Sequence, residues 1–271
     1  MNPSLNARGD SGASTAAPIG DRLDQLDRFN RRLGLRQRLG GLHYWLGFEY
    51  ALALDCLAPS PQARLLDIGS GGHSIWPHFL AHRFDARVTI LDIDPMVARH
   101  RQLRQRAVRA GLYRAEQVEI VRGDARALPF ADGRFDAFTA MSSMEHTATR
   151  TGDRKALQEA SRTLRPGGHG LLSVPFHAES TWVELDEDLA LYQRHYSTTT
   201  LADSLLTPSG LQETGRCYYA EKWPVYRNLR RLPPALRHLL RPWHAGLSRR
   251  AMQLVEAPQE ADAIMLTLTR P

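Results

Sequence analysis

Acidic residues follow four short apolar stretches of the sequence: Asp67, Asp92, Asp124 and Glu145. Each stretch has the length and aliphatic composition of a buried strand. In an open α/β sheet the carboxyl ends of parallel strands meet at one edge, and ligands bind there. A carboxylate at that edge can accept hydrogen bonds from ribose hydroxyls or an exocyclic amine, or face a cationic group. The spacing therefore predicts a site for a nucleoside-like ligand that carries positive charge.

The segment after Asp67 predicts a glycine-rich turn between a strand and a helix. Gly69 and Gly71 flank Ser70, and glycine permits positive φ and a close approach of a ligand to the backbone. A P-loop would end in Gly-Lys-Ser/Thr, and a dinucleotide fingerprint would have glycine where this chain has Ser74. S-adenosylmethionine carries an ammonium and a sulfonium and no phosphate. An acid directly before the turn therefore favours S-adenosylmethionine as the ligand.

The composition is that of a globular protein with a substantial core. The chain has 271 residues, 42% of them hydrophobic, which suits one large α/β domain with additions. It shows no bilayer-spanning apolar run and no signal-peptide pattern. The two cysteines, Cys56 and Cys217, are too few for a disulfide framework and lie outside any metal-like cluster. We therefore expect a reduced, cytoplasmic protein without a metal site.

The net charge is +6 at pH 7 and comes largely from arginine. Such an excess suits contact with nucleic acid, an anionic membrane or an acidic substrate, or reflects an arginine-rich proteome. The basic segment 224–250 holds Leu236, Leu240, Trp243 and Leu247 at about helical spacing. It predicts either peripheral contact with the anionic inner membrane surface or a helix packed on the sheet.

Composition and periodicity divide the chain into three regions. Residues 1–20 are rich in Ser, Gly and Ala and predict a disordered tail. Residues 21–60 show helical periodicity broken at Gly40-Gly41 and predict an N-terminal helical cap. Residues 61–271 alternate strand and helix patterns, which predicts an α/β, doubly wound, Rossmann-like sheet with helices on both faces. The strands predicted after the first are 87–91, 118–121, 135–140, 170–174, 211–220 and 263–269. Asp153 predicts the cap of the helix that follows the fourth of these seven strands.

Four segments of this domain follow one another in a familiar order. They are Asp-Ile-Gly-Ser-Gly at 67–71, Gly-Asp-Ala-Arg-Ala-Leu-Pro-Phe at 123–130, Met-Glu-His at 144–146 and Leu-Arg-Pro-Gly-Gly at 164–168. In this order the chain resembles the class I S-adenosylmethionine-dependent methyltransferases, in particular the type 11-like group of small-molecule methyltransferases. The resemblance covers residues 62–175 closely and the C-terminal strands loosely.

The resemblance implies a seven-stranded sheet, mostly parallel with an antiparallel last strand, and S-adenosylmethionine as cofactor. Asp67 would face the methionine end, Asp92 the ribose hydroxyls and Asp124 the exocyclic amine of adenine, while Ile93 would pack on the adenine face. His73 departs from the pattern, since the family often has a third glycine there. The predicted cofactor-binding residues are Asp67, Gly69, Ser70, Gly71, Asp92, Ile93, Gly123, Asp124, Ala125 and Ser142.

The implied reaction is methyl transfer to a small-molecule acceptor. Ser173-Val174-Pro175-Phe176 and Pro208-Ser209-Gly210-Leu211 resemble methyltransferases encoded near glycosyltransferases, which points to a sugar or a lipid-linked saccharide. An RNA methyltransferase is an alternative that suits the positive charge, although no separate RNA-binding module is visible. A non-catalytic partner subunit that binds S-adenosylmethionine is the other alternative.

A hydroxyl acceptor would benefit from a base that titrates near neutral pH, and histidine fits that role. His146 follows the fourth strand and is the first candidate, with Glu145 orienting it or contacting the cofactor. An Asp-x-Asp metal motif at 92–94 is rejected, because Asp94-Pro95 already predicts a helix start. Weaker candidates for the acceptor pocket are His43, Tyr44, His195 and Tyr196.

Overall fold

The computed structural model describes residues 18–34, 42–147, 149, 151–186 and 191–271. Most of the predicted disordered tail (1–17) and the predicted helix break at Gly40-Gly41 lie outside the described residues. The first helix already begins at Ile19.

Eight α-helices of seven residues or more lie in the described part of the chain. Short 3₁₀ turns cover Pro95–Arg99, Ala115–Gln117, Met144–His146, Arg241–Trp243 and Pro258–Glu260, and a π-helix covers Leu201–Leu206 between the helical turns Thr198–Thr200 and Thr207–Ser209. The helices are α1 (Ile19–Arg32), α2 (Tyr44–Cys56), α3 (Trp76–Phe84), α4 (His100–Arg109), α5 (Gly152–Thr163), α6 (Val225–Arg231), α7 (Pro234–Leu240) and α8 (His244–Ala251).

The described strands form one large sheet and one hairpin. The strands are β1 (Arg64–Ile68), β2 (Arg87–Asp92), β3 (Val118–Arg122), β4 (Phe135–Met141), β5 (Leu164–Pro175), β6 (Trp182–Asp186), β7 (Leu191–His195), β8 (Gln212–Glu221), β9 (Met252–Val255) and β10 (Ala263–Thr269). The sheet order is β3-β2-β1-β4-β5-β10-β8-β9, and β6 pairs with β7 apart from it.

The first five strands pair in parallel, and β10 pairs antiparallel with both β5 and β8. The predicted mostly parallel sheet with an antiparallel last strand is therefore confirmed. The predicted strand number of seven is wrong by one, because β9 adds an eighth strand at the edge beside β8. Only four residues long, β9 is too short to show a strand period, and it forms by pairing with a partner already in place.

Successive residues of β1 enter two hydrophobic layers, because side chains of a strand alternate between its faces. Leu65 packs in the layer that includes residues of α1 to α4. Leu66 and Ile68 pack in the layer that includes residues of α5. Helices therefore cover both faces of the sheet, as the sequence predicts, and the β1 backbone is held from both sides where it runs into the glycine turn.

The two N-terminal helices are part of the core on one face. Leu23, Leu26 and Phe29 recur on one side of α1 and are buried, and the ring of Phe29 meets that of Phe79 edge to face at 5.3 Å. Helix α2 is buried along most of its length, since it lies between α1 and α8. This burial carries one carboxylate, that of Glu49, into the interior at 0% exposure.

Two predicted helix caps have different outcomes. Asp94 caps the turn at Pro95–Arg99 by accepting from the Met96 amide at 2.7 Å, as predicted. Asp153 was predicted to cap the following helix, but Thr151 occupies the N-cap position of α5. The buried carboxylate of Asp153 instead binds the Arg194 guanidinium and accepts from the Tyr196 hydroxyl at 2.8 Å. The reason is that β7 brings this cation and phenol to the helix start.

Candidate active site

The glycine turn after β1 is held by close backbone contacts. Gly69 has φ +75°, and a Cβ there would lie 2.4 Å from Cβ of Ser143. Its amide donates to the Leu91 carbonyl at 2.8 Å, which joins the turn to the end of β2. Gly71 also has positive φ, +60°, with no other atom within 4 Å of a Cβ placed there. Glycine at 69 is therefore required by both conformation and space, and glycine at 71 by conformation.

Asp67 lies beneath the turn rather than in the open. It is 3% exposed, and its carboxylate accepts from the Ser70 hydroxyl and, at 2.5 Å, from the Thr139 hydroxyl. Burial raises the pKa of Asp67 to about 6, which the two hydroxyl donors partly offset. A cationic group of a ligand at the turn would favour the ionised form of this carboxyl. The position suits the predicted role toward the methionine end.

Asp92, at the end of β2, braces the turn from the other side. One carboxylate oxygen accepts from the Gly71 amide at 2.7 Å and the other from the Asp94 amide at 2.8 Å. The side chain is half-buried and borders the open cavity. A carboxylate offers about four lone-pair positions, so two remain for ribose hydroxyls.

Asp124 follows β3 and is paired within its own loop. Arg126 donates to both carboxylate oxygens, with its Nη2 2.6 Å from Oδ2. These hydrogen bonds hold the pKa of Asp124 below its usual value. The carboxylate is 34% exposed and keeps acceptor capacity toward the cavity. The sequence did not predict the Arg126 contact, although the i, i+2 spacing of the pair was visible.

A cavity of about 410 Å³ lies along this edge of the sheet. That volume suits a nucleoside-sized ligand. Its walls combine carboxylates, turn backbone and the 57% exposed side chain of Ile93, which fits a cofactor with a ribose, a flat base and a cationic end. Predicted cofactor residues on its walls are Gly69, Gly71, Asp92, Ile93, Gly123, Asp124, Ala125 and Ser142, joined by His146.

Several predicted site residues do not line this cavity. Asp67 lies beneath the turn, and Ser70, within the turn, donates its hydroxyl to Asp67 and does not line the cavity. Glu145 is 1% exposed. The weaker acceptor candidates also lie elsewhere: Tyr44 and Tyr196 are buried, and His195 stacks on Trp182 with ring centroids 4.2 Å apart, while His43 caps α2.

His73, the departure from the family pattern, does not distort the turn. Its side chain is exposed, and its Nε2 lies 2.6 Å from the Arg99 guanidinium. The residue that must be small is Gly72, because a Cβ there would lie 2.8 Å from the Met96 carbonyl oxygen. The turn therefore accommodates a side chain at position 73, because that side chain is exposed and does not line the cavity.

Ser142, directly after β4, has the unusual φ of +45° for a residue with a side chain. Its amide donates to the Ser173 hydroxyl at 2.9 Å, and its own hydroxyl donates to Glu49 at 2.8 Å. Strained backbone of this kind persists where neighbouring contacts enforce it, and such positions cluster at functional sites. The strain places one hydroxyl between the cavity wall and a buried carboxyl.

Glu49 is the main feature that sequence reasoning missed. Its Oε1 accepts from Trp45 Nε1 at 2.8 Å, from Ser142 Oγ at 2.8 Å and from Tyr219 Oη at 2.6 Å. Burial raises the pKa of this carboxyl. The available signal was Glu49 in the middle of the largely apolar run Tyr44–Cys56, whose other acid, Asp55, lies next to its C-terminal end. An acid within a buried stretch of helix is a candidate functional group.

His146 lines the cavity and is the exposed member of its pair with Glu145. The side chain of His146 is 38% exposed, and its Nε2 lies 3.8 Å from Glu145 Oε1. Burial raises the pKa of Glu145 well above its usual value, and the charge of Glu49 adds to the shift. The predicted general base therefore lies on the cavity wall, 3.8 Å from a buried acid.

A buried chain of aromatic hydrogen bonds supports the turn from below. Tyr113 Oη lies 2.5 Å from His78 Nδ1, His78 Nε2 lies 2.9 Å from His100 Nδ1, and His100 Nε2 lies 3.1 Å from the Gly71 carbonyl oxygen. The Gly71 carbonyl can only accept, so His100 donates from Nε2 and accepts at Nδ1. His78 therefore donates from Nε2 to His100 and accepts from the Tyr113 hydroxyl at Nδ1. Burial lowers the pKa of His100 to about 4 and that of His78 well below its usual value. Both rings are therefore neutral at pH 7, as this order of donors requires.

Replacing His100 with phenylalanine is expected to weaken cofactor binding without touching the cavity. The variant removes the donor to Gly71 and leaves His78 with an unpaired buried donor, so we expect a stability loss of about 1–3 kcal/mol and S-adenosylmethionine affinity roughly 3–10-fold lower. His82→Phe is the matched control, because His82 bonds Leu112 in the core, away from the turn. Calorimetry on both variants measures the difference. Equal affinities would contradict the supporting role.

The raised pKa of Asp67 makes the stability of the protein depend on pH. Its folded-state pKa of about 6 exceeds its usual value of 3.8, so the folded protein binds the extra proton between those values. Stability from this group is therefore lost as pH rises through about 6. The free energy of unfolding of Asp67→Asn minus that of wild type should therefore rise by about 2 kcal/mol from pH 4.5 to pH 7.5. Urea unfolding of both proteins at each pH measures this, and a constant difference would refute it.

Comparison with known proteins identifies the domain. Residues 66–172 match the family model described as a methyltransferase domain. UbiE of Roseobacter denitrificans, a ubiquinone/menaquinone biosynthesis C-methyltransferase, is 39% identical over 116 residues, which cover 42% of this chain and 43% of the relative. UbiE of Dinoroseobacter shibae is 38% identical over 136 residues, 48% of each chain. This chain thus spans about half the length of the curated relatives it matches.

Solved structures share the fold at low sequence identity. The 4+2 cyclase SpnF aligns with a TM-score of 0.59 and 19% identity over 86% of this chain and 85% of its own. An S-adenosylmethionine-dependent methyltransferase from Methanosarcina mazei aligns with a TM-score of 0.55 and 16% identity over 81% of this chain and 96% of its own. At these identities the likeness establishes the fold.

The matched domain and the fold define the class. Residues 66–172 form a methyltransferase domain of the class I S-adenosylmethionine-dependent type, as the four motifs predict. S-adenosylmethionine is the cofactor of this class, so the predicted cofactor is confirmed. Within the class, the curated relatives named above are quinone-biosynthesis C-methyltransferases.

Proposed function

We propose that this protein is an S-adenosylmethionine-dependent methyltransferase that acts on a small-molecule acceptor. The observation that carries the proposal is the cavity beside the glycine turn, bordered by Asp92 at the end of β2 and Asp124 after β3. These carboxylates would hold the ribose and the adenine amine, Ile93 would pack on the base, and Asp67 would favour the cationic end. The whole site lies within the matched methyltransferase domain.

When bound, the cofactor supplies a methyl group already activated by the sulfonium. The protein then has to align the acceptor and exclude water. Ser142 and His146 lie on the cavity wall and Glu145 is buried directly beside them. We assign these three residues to the acceptor side, with His146 positioned to accept a proton from the acceptor.

The acceptor that the relatives favour is an aromatic ring of quinone type. Both UbiE relatives are named for C-methylation in ubiquinone/menaquinone biosynthesis, and neither name points to the sugar or lipid-linked saccharide expected from the sequence. Aromatic side chains near Glu49 agree with a flat acceptor: Trp45 lies 5.8 Å from Tyr219 and 5.7 Å from Tyr226 between ring centroids. We therefore propose methyl transfer to an aromatic carbon.

Labelled-methyl transfer into cell extracts tests this function. Extracts are incubated with the protein and methyl-labelled S-adenosylmethionine and then separated into lipid-quinone, saccharide, RNA and protein fractions. We expect label in the quinone fraction. Label in RNA would support the alternative of an RNA methyltransferase. Calorimetric binding of S-adenosylmethionine without label in any fraction would support the alternative of a non-catalytic partner subunit.

We further propose peripheral contact with an anionic membrane through segment 224–250. Leu236, Leu239 and Trp243 follow one another at helical spacing and are 46%, 63% and 60% exposed. Exposed arginines, Arg231 and Arg241, flank them. Exposed apolar side chains beside cations suit a surface of anionic lipid. A quinone-type acceptor would be found in the same membrane.

None of the helices in the described ranges has the length and hydropathy needed to traverse a bilayer. A cytoplasmic location, with attachment at the inner membrane surface, stays a prediction of the sequence.

Vesicle co-sedimentation tests the membrane contact. We expect binding to vesicles with anionic lipid at low salt, weakened roughly 5-fold or more by Trp243→Ser, because an interfacial tryptophan and the adjacent cations act together. Trp182→Ser is the matched control, since Trp182 is also exposed, at 40%, but lies on the β6–β7 hairpin. Equal binding to neutral vesicles, or equal loss in both variants, would contradict the electrostatic contact.

A further inference from the structure

Two buried carboxyl groups near the cavity each have one oxygen without a hydrogen-bond partner among the described residues. These are Oε2 of Glu49 and Oε2 of Glu145. The two residues are 0% and 1% exposed. Buried polar atoms are almost always paired, and an unpaired one requires an explanation. A ligand that supplies a donor to both oxygens is such an explanation.

The hydrogen bonds of Glu49 determine which oxygen is available. The donors Trp45, Ser142 and Tyr219 reach Oε1, and the Ser173 hydroxyl also interacts with this carboxyl. Oε1 is thereby saturated, and Oε2 is the only oxygen of this carboxyl that can take a further group. The donors also hold the carboxyl in one rotamer, so Oε2 is presented in a determined direction.

Both carboxyls are connected to the wall of the cavity that Ser142 forms. Glu145 lies in the turn Met144–His146, three residues after Ser142. Ser142 lines the cavity and donates to Glu49 at 2.8 Å. The charge of Glu49 raises the pKa of Glu145, so the two carboxyls interact. The Ser142 hydroxyl is thus the link between the cavity wall and the Glu49 carboxyl.

We propose that Glu49 and Glu145 form the acceptor-binding pair of this protein, in which Glu49 takes the hydroxyl group of a phenol or hydroquinone and Glu145, with His146, faces the ring carbon that loses its proton. This inference rests on the proposed methyl transfer. A phenolic hydroxyl donates to Oε2 of Glu49, and its proton passes to the carboxylate as the ring carbon attacks. The new C–CH₃ bond forms while the S–CH₃ bond breaks, and the thioether leaves with the electron pair. The ring then loses its own proton to restore aromaticity, which the neighbouring Glu145–His146 pair accepts.

An aromatic acceptor is favoured over an alcohol by the surroundings of Glu49. Phe48 and Trp45 lie 5.9 Å and 5.8 Å from the ring of Tyr219 between centroids, so flat side chains border the carboxyl. Burial raises the pKa of the Glu49 carboxyl toward that of a phenol, which favours a phenol over an aliphatic alcohol as the proton donor. The titratable groups that interact with Glu49 are Glu145, Tyr50, Cys217 and Tyr219.

The test compares two ligands that differ only in their donors. The affinities of 1,4-dihydroxynaphthalene and 1,4-dimethoxynaphthalene are measured by calorimetry in the presence of S-adenosylhomocysteine. We expect wild type to prefer the dihydroxy compound roughly 10-fold or more, as for a hydrogen bond to a charged group. Glu49→Gln keeps the acceptor Oε1 but puts an amide donor where Oε2 stood. The preference should therefore fall to about 1 in this variant.

Control variants separate binding from folding. Glu260→Gln alters an exposed surface acid and should keep the wild-type preference. S-adenosylmethionine affinity should stay unchanged within about 3-fold in Glu49→Gln, because the cofactor residues are untouched. A preference near 1 in wild type, or an unchanged preference in Glu49→Gln, would overturn the assignment. If wild type does not bind S-adenosylmethionine at all, the proposed function is wrong. The preference between the two naphthalenes can still be measured in that case, so the two failures are distinguishable.

Discussion

Replacing Gly69 with alanine is expected to destabilise the protein by about 2–5 kcal/mol. About 1–2 kcal/mol comes from the left-handed conformation at φ +75°. A further 1–3 kcal/mol, roughly, comes from overpacking, because the new Cβ would lie 2.4 Å from Cβ of Ser143. The turn and the end of β4 would have to separate, so we also expect S-adenosylmethionine binding to be lost. Urea unfolding and calorimetry measure the two effects.

Gly71→Ala is the matched control for this variant. Gly71 has φ +60°, but no other atom lies within 4 Å of its added Cβ. The control therefore bears only the conformational cost, about 1–2 kcal/mol. Equal destabilisation of the two variants would show that the contact of Gly69 with Ser143 adds nothing.

Replacing Asp92 with alanine is expected to lower the affinity for S-adenosylmethionine at least about 100-fold. The variant removes the acceptor for two ribose hydroxyls, and each hydrogen bond to a charged group is worth about 1.5–3 kcal/mol. It also frees the Gly71 amide, which Asp92 holds at 2.7 Å. Calorimetry with the same preparation of cofactor measures the change.

Asp132→Ala is the control for Asp92. Asp132 is an exposed acid that pairs with Arg162, away from the cavity walls. We expect its affinity for S-adenosylmethionine to equal that of wild type. The affinity of Asp92→Asn should lie between those of Asp92→Ala and wild type, because the amide retains one acceptor oxygen. Wild-type affinity in Asp92→Ala would remove the ribose assignment and weaken the proposed function as a whole.

The cavity at the carboxyl ends of the strands was predictable because the residues that line it are marked by local features of the chain. Asp92 and Asp124 each stand at or just after the carboxyl end of a strand, and parallel strands bring such ends to one edge. The glycines of the turn indicate positive φ from the sequence alone, since few other residues adopt it. Apolar runs and their spacing then suffice to predict the strands that carry them.

The acceptor side was not predictable, because it depends on contacts between distant segments. Glu49 meets Ser142 across 93 positions and Tyr219 across 170. No local period or motif encodes these meetings. The same holds for Asp153, which looked like a helix cap until β7 brought Arg194 and Tyr196 to it. The edge strand β9 also depends on a partner, since four residues carry too little periodicity to stand alone.

The sequence by itself determined the class of fold and the cofactor, and it predicted the sheet edge and the residues that we propose hold S-adenosylmethionine. It did so because strand period, glycine conformation and strand-end acids are properties of neighbouring residues. Only the tertiary structure decided how Asp67 is buried under the turn, how His78 and His100 support it, and that Glu49 reaches the cavity wall. Those outcomes follow from packing helices on both faces of one sheet, which desolvates some polar groups and leaves others open to a ligand.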